Sequence, residues 1–163
     1  QGINLRLIDA ASAAAIASVR YCGGDFERRR LYTAWDSIGD ESLFRRGVDE
    51  LARAGVPASH LRVYMLTGYD PRETWEAIFY RFCELVTLGC EPFPMVFDRD
   101  ARPDLLAFQR YAVRHLYRTF SFPEYGTRDH TDTRMTPTVR AAVAAAWRRV
   151  ADGWTPPRRP EVA

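Results

Sequence analysis

Aspartates follow the apolar segments of this chain at the positions where predicted strands end. They are Asp9, Asp36, Asp70 and Asp98, and Asp70 closes the polar run Thr67-Gly68-Tyr69-Asp70. Ligands of parallel sheets bind at the carboxyl ends of the strands, so these residues could form a polar rim around a ligand. Aspartate also favours helix caps and turns, and that interpretation is preferred for Asp9 and Asp70. Asp36 lies four residues before a better cap and stays open between ligand contact and turn.

The same aspartates raise a second possibility, a magnesium site for phosphoryl transfer that uses Asp9, Asp36 and Asp98. Such sites need carboxylates that converge on one point, usually beside a loop that cradles phosphate. The sequence has no Walker-type or glycine-rich loop between a strand and a helix. Magnesium chemistry is therefore the less favoured alternative.

Other residue types offer little further chemistry. No cysteine belongs to a C-x-x-C or C-x-x-x-C-x-x-C motif, which predicts buried, reduced thiols in a cytoplasmic protein. The histidines have no sequence partner for a catalytic triad. The run Arg28-Arg29-Arg30 is interpreted as a solvated turn and gives no clear nucleic-acid signal. The three cysteines are Cys22, Cys83 and Cys90, and the three histidines are His60, His115 and His130.

Composition bounds the class of protein. The chain has 163 residues, of which 47% are hydrophobic, and a net charge of +2. These values fit one domain with a real core and indicate no polyanionic partner. All 23 basic residues are arginine, which we interpret as a genomic bias. The sequence contains no apolar segment long enough for a membrane span.

The elements that position these residues alternate between strand and helix, which predicts an α/β fold of (βα) repeats with parallel strands. Residues 20–29 are predicted to be a loop, 121–134 irregular and 156–163 a disordered tail. Four such units, with helices on one face, amount to half of an eight-stranded barrel, plus a C-terminal helix. The chain starts directly on an apolar run that would leave an exposed sheet edge, which suggests a missing front half. The predicted strands are Ile3–Ile8, Arg30–Trp35, Leu61–Leu66 and Pro92–Phe97, and the predicted helices are Ala10–Val19, Asp40 to about Ala54, Asp70 to Gly89, Pro103 to Leu116 and Thr136 to about Ala151.

Taken together, these segments resemble a known family. INLRLID, RRRLYTAWD, LRVYMLTGYD and EPFPMVFDRD look like the last four strands of a radical S-adenosylmethionine (SAM) core. The resemblance covers residues 1–125, with a helical extension at 126–155 and the tail at 156–163. It is most specific in VYMLTGYD and LGCEPFPMVFD, and it implies half of a partial TIM barrel.

The resemblance also implies roles for particular residues. Gly68 and Asp70 match the acidic, glycine-containing end of the family's fifth strand, which supports the adenine side of SAM. Asp36 matches a polar residue that meets the SAM ribose or amino acid part. The main chain of Met95, Val96 and Phe97 matches the strand that contacts adenine.

The family's [4Fe-4S] cluster motif would lie upstream of this chain, in a missing N-terminal half that would be its partner. The full protein would then cleave SAM reductively on an unknown substrate, whereas this chain alone would bind neither cofactor stably. A non-catalytic α/β interaction module is the alternative from a different class.

Overall fold

The computed structural model describes residues 2–24, 26–98, 100, 102–127 and 135–156. Within these residues, three β-strands and six α-helices follow one another along the chain. The strands are β1 (Leu31–Ala34), β2 (Leu61–Thr67) and β3 (Glu91–Val96), and the helices are α1 (Ala10–Ser18), α2 (Glu41–Arg53), α3 (Trp75–Thr87), α4 (Pro103–Val113), α5 (Phe122–Thr127) and α6 (Pro137–Ala151).

The strands form one parallel sheet in the order β1-β2-β3. Leu31 pairs with Leu61, and Arg62 pairs with Glu91, so the three strands begin level with one another. Parallel neighbours need a crossover, which α2 supplies between β1 and β2 and α3 between β2 and β3. The predicted α/β class and the parallel order of these three strands are confirmed.

Helices cover one face of this sheet. Leu61, Val63 and Met65 of β2 are buried, whereas the alternate residues Arg62 and Tyr64 are half-buried. α3 contacts β2 and β3, and α4 contacts β3. We call the opposite, less covered side the open face; its residues are Tyr32, Ala34, Arg62, Tyr64, Leu66, Phe93, Met95 and Phe97.

The outer edge of β3 is protected against further pairing. Phe97 N–H donates to the Thr67 carbonyl oxygen, so the odd-numbered residues of β3 turn their amides towards β2. Pro92 and Pro94 alternate with them and have no N–H to offer at the outer edge. The Gln109 side chain also donates to the Pro94 carbonyl oxygen at 2.7 Å. β3 is therefore built as an edge strand.

The prediction of a first strand at Ile3–Ile8 is wrong. Ile3 N–H donates to the Tyr32 carbonyl oxygen at 2.7 Å, which is a single ladder bond beside β1. The chain then forms a 3₁₀ turn at Leu5–Leu7, because the Asn4 side-chain oxygen accepts a backbone N–H of that turn at 3.2 Å. An apolar run thus begins as an edge strand and is diverted by one local cap.

The first two helices begin where the sequence predicts. Asp9 Oδ1 accepts the Ser12 N–H at 2.8 Å, and the Ser12 hydroxyl accepts the Asp9 N–H at 2.9 Å, so α1 starts with a capping box. Asp40 precedes α2, but its carboxylate makes no capping bond there. It instead pairs with Arg6 at 3.0 Å. Gly55 ends the second helical segment with a φ of +91°, as predicted.

The predicted start of the third helix at Asp70 is wrong. α3 begins at Trp75, where the Thr74 hydroxyl accepts the Ala77 N–H at 3.3 Å. Glu73, which the sequence assigned to a capping box, has partners elsewhere. Gly89 ends the segment with a φ of +84°, as predicted.

In the C-terminal part of the chain, one prediction is confirmed and one is wrong. α6 begins at the predicted Thr136-Pro137, and the Thr136 hydroxyl accepts the Val139 N–H at 3.3 Å. The predicted irregular stretch 121–134 contains α5, while 128–134 lie outside the described residues. Residues 157–163 of the predicted tail also lie outside them. In the part of the chain described, no helix is long and apolar enough to cross a membrane.

An aromatic cluster fills the core between α3, α4, α5 and α6. Phe79 meets Trp147 at 5.0 Å between ring centroids, and Phe82 meets Phe108 at 5.2 Å, both edge to face. The first contact fastens α6 onto α3, and the second fastens α4 onto α3. The buried aromatic residues of the cluster are Phe79, Phe82, Phe108, Tyr111, Phe122 and Trp147.

Candidate functional site

Asp36 lies at the carboxyl end of β1 and replaces one bond of the β1–β2 ladder. Trp35 N–H donates to the Tyr64 carbonyl oxygen at 2.9 Å, so a regular ladder would next pair Leu66 N–H with the Trp35 carbonyl. Leu66 N–H donates instead to Asp36 Oδ1 at 2.7 Å. The exposed carboxylate therefore joins the ends of two strands at the surface.

Arg81 reaches the carbonyl oxygens left at this strand end. Its side chain is 1% exposed, and it donates to the Trp35 carbonyl at 2.9 Å and the Leu66 carbonyl at 3.3 Å. It also forms an ion pair with Glu73. Burial lowers the pKa of Arg81, and the carboxylates of Glu73 and Asp36 act in the opposite direction. A buried, hydrogen-bonded cation thus supports the carboxyl end of the sheet.

Gly68 allows the chain to turn directly after β2. Its φ is +78°, and a Cβ at this position would lie 2.8 Å from Leu105 Cδ1. Gly68 N–H donates to Glu73 Oε2 at 2.9 Å. The same carboxylate thus holds both the turn after β2 and the buried Arg81. This tertiary role explains why Glu73 does not cap α3.

Arg81 was missed by the sequence analysis, although a signal for it exists. It lies three residues after Ile78 and four before Leu85, which places it on the apolar stripe of α3. A charged residue at a buried helical position needs polar partners. The periodicity therefore could have marked Arg81 as a residue bound to another element.

The predicted Met95–Phe97 segment gives the site an apolar side. Met95 is 44% exposed and Phe97 61% exposed, both on the open face. Tyr69 is 65% exposed, and its ring meets that of Phe97 edge-on at 5.0 Å. Exposed aromatic pairs of this kind can pack against a planar ligand. Val96, between the two exposed residues, is half-buried.

The remaining strand-end aspartates bond locally. Asp70 pairs with Arg72 at 3.1 Å, and hydrogen bonds from Arg72 lower its pKa. Asp98 Oδ1 accepts the Asp100 N–H at 3.2 Å, and Asp9 caps α1. In the described part of the chain, no group of three or more His, Cys, Asp or Glu side chains is arranged to hold a metal ion. The geometry thus gives the magnesium alternative no support.

A cavity of about 390 Å³ adjoins Asp36 on the outer side of β1. Trp35 and Tyr64 contribute apolar surface to it, and the Arg6–Asp40 ion pair contributes charge. A small polar ligand could therefore reach the Asp36 carboxylate from this side.

The cysteines do not fit an iron–sulfur cluster. Both Cys83 and Cys90 are buried, and burial raises the pKa of each thiol to about 12. Within the described residues, the cysteines do not belong to any group of three or more His, Cys, Asp or Glu side chains that could hold a metal. Cluster ligands are thiolates, and the third cysteine, Cys22, is half-buried in the loop after α1.

Comparison with protein-family models, curated proteins and solved structures gave no match to this chain.

Proposed function

We propose that residues 1–125 are the back half of a radical SAM core and that the carboxyl edge of the sheet holds part of SAM. One observation carries the proposal: Asp36, Gly68 and Met95–Phe97 follow or end three adjacent parallel strands. Parallel α/β sheets bind ligands at this edge.

The arrangement of the sheet supports a partial barrel. Its helices cover one face, and in the proposed barrel the open face would be the interior. Pro92 and Pro94 end pairing at the outer edge of β3, as the last strand of an incomplete barrel requires. The outer edge of β1 carries only the Ile3 bond in the described part of the chain and would meet the preceding strand.

Three kinds of group would hold SAM. The Asp36 carboxylate would accept hydrogen bonds from the ribose or the amino acid part, and one of its oxygens, Oδ1, is engaged with Leu66. Val96 alternates with residues that bond β2, so its N–H and C=O face the other edge, where an adenine edge could pair with them. The Tyr69 and Phe97 rings would pack against the adenine plane. Bound SAM would supply the carbon–sulfur bond that the family cleaves reductively.

The cluster would come from sequence upstream of this chain, since its own cysteines do not fit. The DNA preceding the codon for residue 1 tests this directly. We expect an in-frame C-x-x-x-C-x-x-C within about 125 residues, half the length of a typical barrel. A start codon immediately before residue 1 would contradict the proposal.

Asp36→Asn tests the pocket in the protein that includes its upstream sequence. Asparagine keeps an oxygen for the Leu66 N–H and removes the charge. Losing a charged hydrogen bond to SAM costs roughly 1.5–3 kcal/mol, so affinity measured by calorimetry should fall about ten- to a hundred-fold. Asp49→Asn, on the exposed side of α2, is the matched control and should bind SAM normally. Equal affinities for the two variants would remove Asp36 from the pocket.

A non-catalytic interaction module is the second candidate, favoured by the aromatic row on the open face. Tyr32 stacks on Tyr64 at 6.0 Å, and Phe93 meets Tyr64 edge-on at 5.5 Å. A partner would then cover this face. The upstream DNA separates the two candidates, because only the enzyme needs the cysteine motif.

A further inference from the structure

A cleft of about 600 Å³ lies at the amino ends of the strands, opposite the proposed SAM edge. β2 has seven residues, so the two ends are roughly 20 Å apart. Five arginines and one carboxylate are among the residues that line the cleft. They are Arg28, Arg29, Arg30, Arg62, Arg118 and Glu91.

The parallel register brings these charges together. Arg30 immediately precedes β1, Arg62 is the second residue of β2, and Glu91 is the first of β3. Arg30 pairs with Glu91 at 3.0 Å, and Arg62 pairs with the same carboxylate at 2.5 Å. One negative charge is therefore shared between two positive ones.

Arg29 and Arg118 add further positive charge to the cleft. Among the described residues, neither Arg29 nor Arg118 forms an ion pair, and Glu91 is the only carboxylate that lines the cleft. The Arg62 Nε is buried and has no hydrogen-bond partner within the described residues. The cleft is thus strongly cationic, although the whole chain carries a net charge of only +2.

A left-handed turn presents one wall of the cleft. His115 has a φ of +56°, which is uncommon for a residue other than glycine, and it lies two residues after the end of α4. Its Nδ1 lies 3.1 Å from the Tyr117 hydroxyl, and its Nε2 lies 3.9 Å from Glu91 Oε1. The Arg118 guanidinium packs over the Tyr117 ring at 5.6 Å. Arg118 is therefore held against the Tyr117 ring, which also lines the cleft.

We propose that this cleft binds a small molecule that carries two or more phosphate groups. The planar guanidinium fork matches phosphate oxygens, and the arginines converge from separate segments on one concavity. The volume is that of a small-ligand pocket, whereas nucleic acid is usually bound along an extended basic stripe. This inference is independent of the SAM proposal, since it uses the other end of the sheet.

Calorimetry of the 163-residue chain with sodium tripolyphosphate and with inorganic phosphate tests the proposal. Tripolyphosphate should bind with one site per chain and more tightly than phosphate. The double variant Arg29→Gln, Arg118→Gln should bind it at least about tenfold more weakly, because each guanidinium–phosphate contact is charge-assisted. Arg53→Gln is the control for loss of one positive charge away from the cleft: it lies on α2, where Arg53 pairs with Glu50, and should stay within about twofold of the parent, whereas Arg29→Gln alone should already bind more weakly than it.

Glu91→Gln gives an independent readout in the opposite direction. It removes the carboxylate that competes for Arg30 and Arg62, so tripolyphosphate should bind several-fold more tightly. Circular dichroism melting checks that each variant is folded. If the double variant is not folded, the single Arg29→Gln variant replaces it.

Three results would overturn the proposal. They are no binding of tripolyphosphate, an equal loss in Arg53→Gln, and weaker binding by a folded Glu91→Gln. A fourth would redirect it: if a 20-nucleotide single strand binds more tightly than tripolyphosphate and depends on Arg29 and Arg118, the cleft is a nucleic-acid surface.

Discussion

Replacing Arg81 by methionine tests the buried ion pair that supports the carboxyl edge of the sheet. Methionine keeps most of the length of the side chain and removes every donor. The change leaves the carbonyl oxygens of Trp35 and Leu66 without their Arg81 bonds and leaves Glu73 without its cation. Each buried carbonyl without a partner costs roughly 1–3 kcal/mol, and breaking a buried ion pair costs about 3–5 kcal/mol in all.

We expect Arg81→Met to lower the free energy of unfolding by about 3–5 kcal/mol, out of the 5–15 kcal/mol of a typical domain. For a chain of this size that is a fall in melting temperature of about 6–20 °C. Urea denaturation followed by circular dichroism gives the free energy, provided the slope with denaturant is unchanged.

Arg53→Met is the matched control for this experiment. Arg53 is exposed and pairs with Glu50 on the surface of α2, so its loss should cost less than about 0.5 kcal/mol. Adding Glu73→Gln to Arg81→Met should recover about 1–3 kcal/mol relative to the sum of the single changes, because no unpaired carboxylate remains. A loss below about 1 kcal/mol in Arg81→Met, or strict additivity of the two changes, would refute the reasoning.

Three further predictions concern turns and titratable groups. Gly68→Ala should lower the free energy of unfolding by about 1–3 kcal/mol, and by more than Gly55→Ala, because both have positive φ but only Gly68 is crowded by a side chain; equal urea midpoints would contradict this. Burial and a neighbouring arginine lower the pKa of His60 in the folded chain. The unfolded chain therefore binds more protons than the folded chain as the pH falls below 6.5, so acidification destabilises the fold. His60→Gln should reduce the fall in melting temperature between about pH 7.5 and 5.5, and an unchanged fall would count against this prediction. Burial raises the pKa of Cys83 and of Cys90 to about 12, so both should react with a thiol reagent at about pH 8 only after unfolding; rapid native labelling of either would show the assignment to be wrong.

Much of the architecture follows from local patterns in the sequence. The segment Leu61–Leu66 that becomes β2, the apolar stripe of α2 and the Pro and Thr signals at α6 are short-range features of the sequence, and each predicts its element correctly. Asp9 also caps α1 as predicted, because its partner Ser12 is only three residues away. The parallel order follows from the alternation of strands with helices.

Local patterns failed where a side chain had a stronger distant partner. Asp70 and Glu73 looked like the start of a helix, but Glu73 accepts from Arg81 and Gly68, and α3 starts at Trp75. The failure at Ile3–Ile8 has a local cause instead: the Asn4 side chain caps a 3₁₀ turn at Leu5–Leu7, which leaves one ladder bond beside β1.

Both candidate sites depend on the tertiary structure. Asp36 meets Leu66 across 30 residues of sequence, and Glu91 is shared by Arg62, 29 residues before it, and by Arg30, which lies further back still. A sequence can place a charged residue at the end of a strand, but the register of the sheet decides which charges meet. That register is set by the burial of whole helix and strand faces. The sequence alone therefore determines which residue types stand at the strand ends, and only the packed fold decides which of them come together.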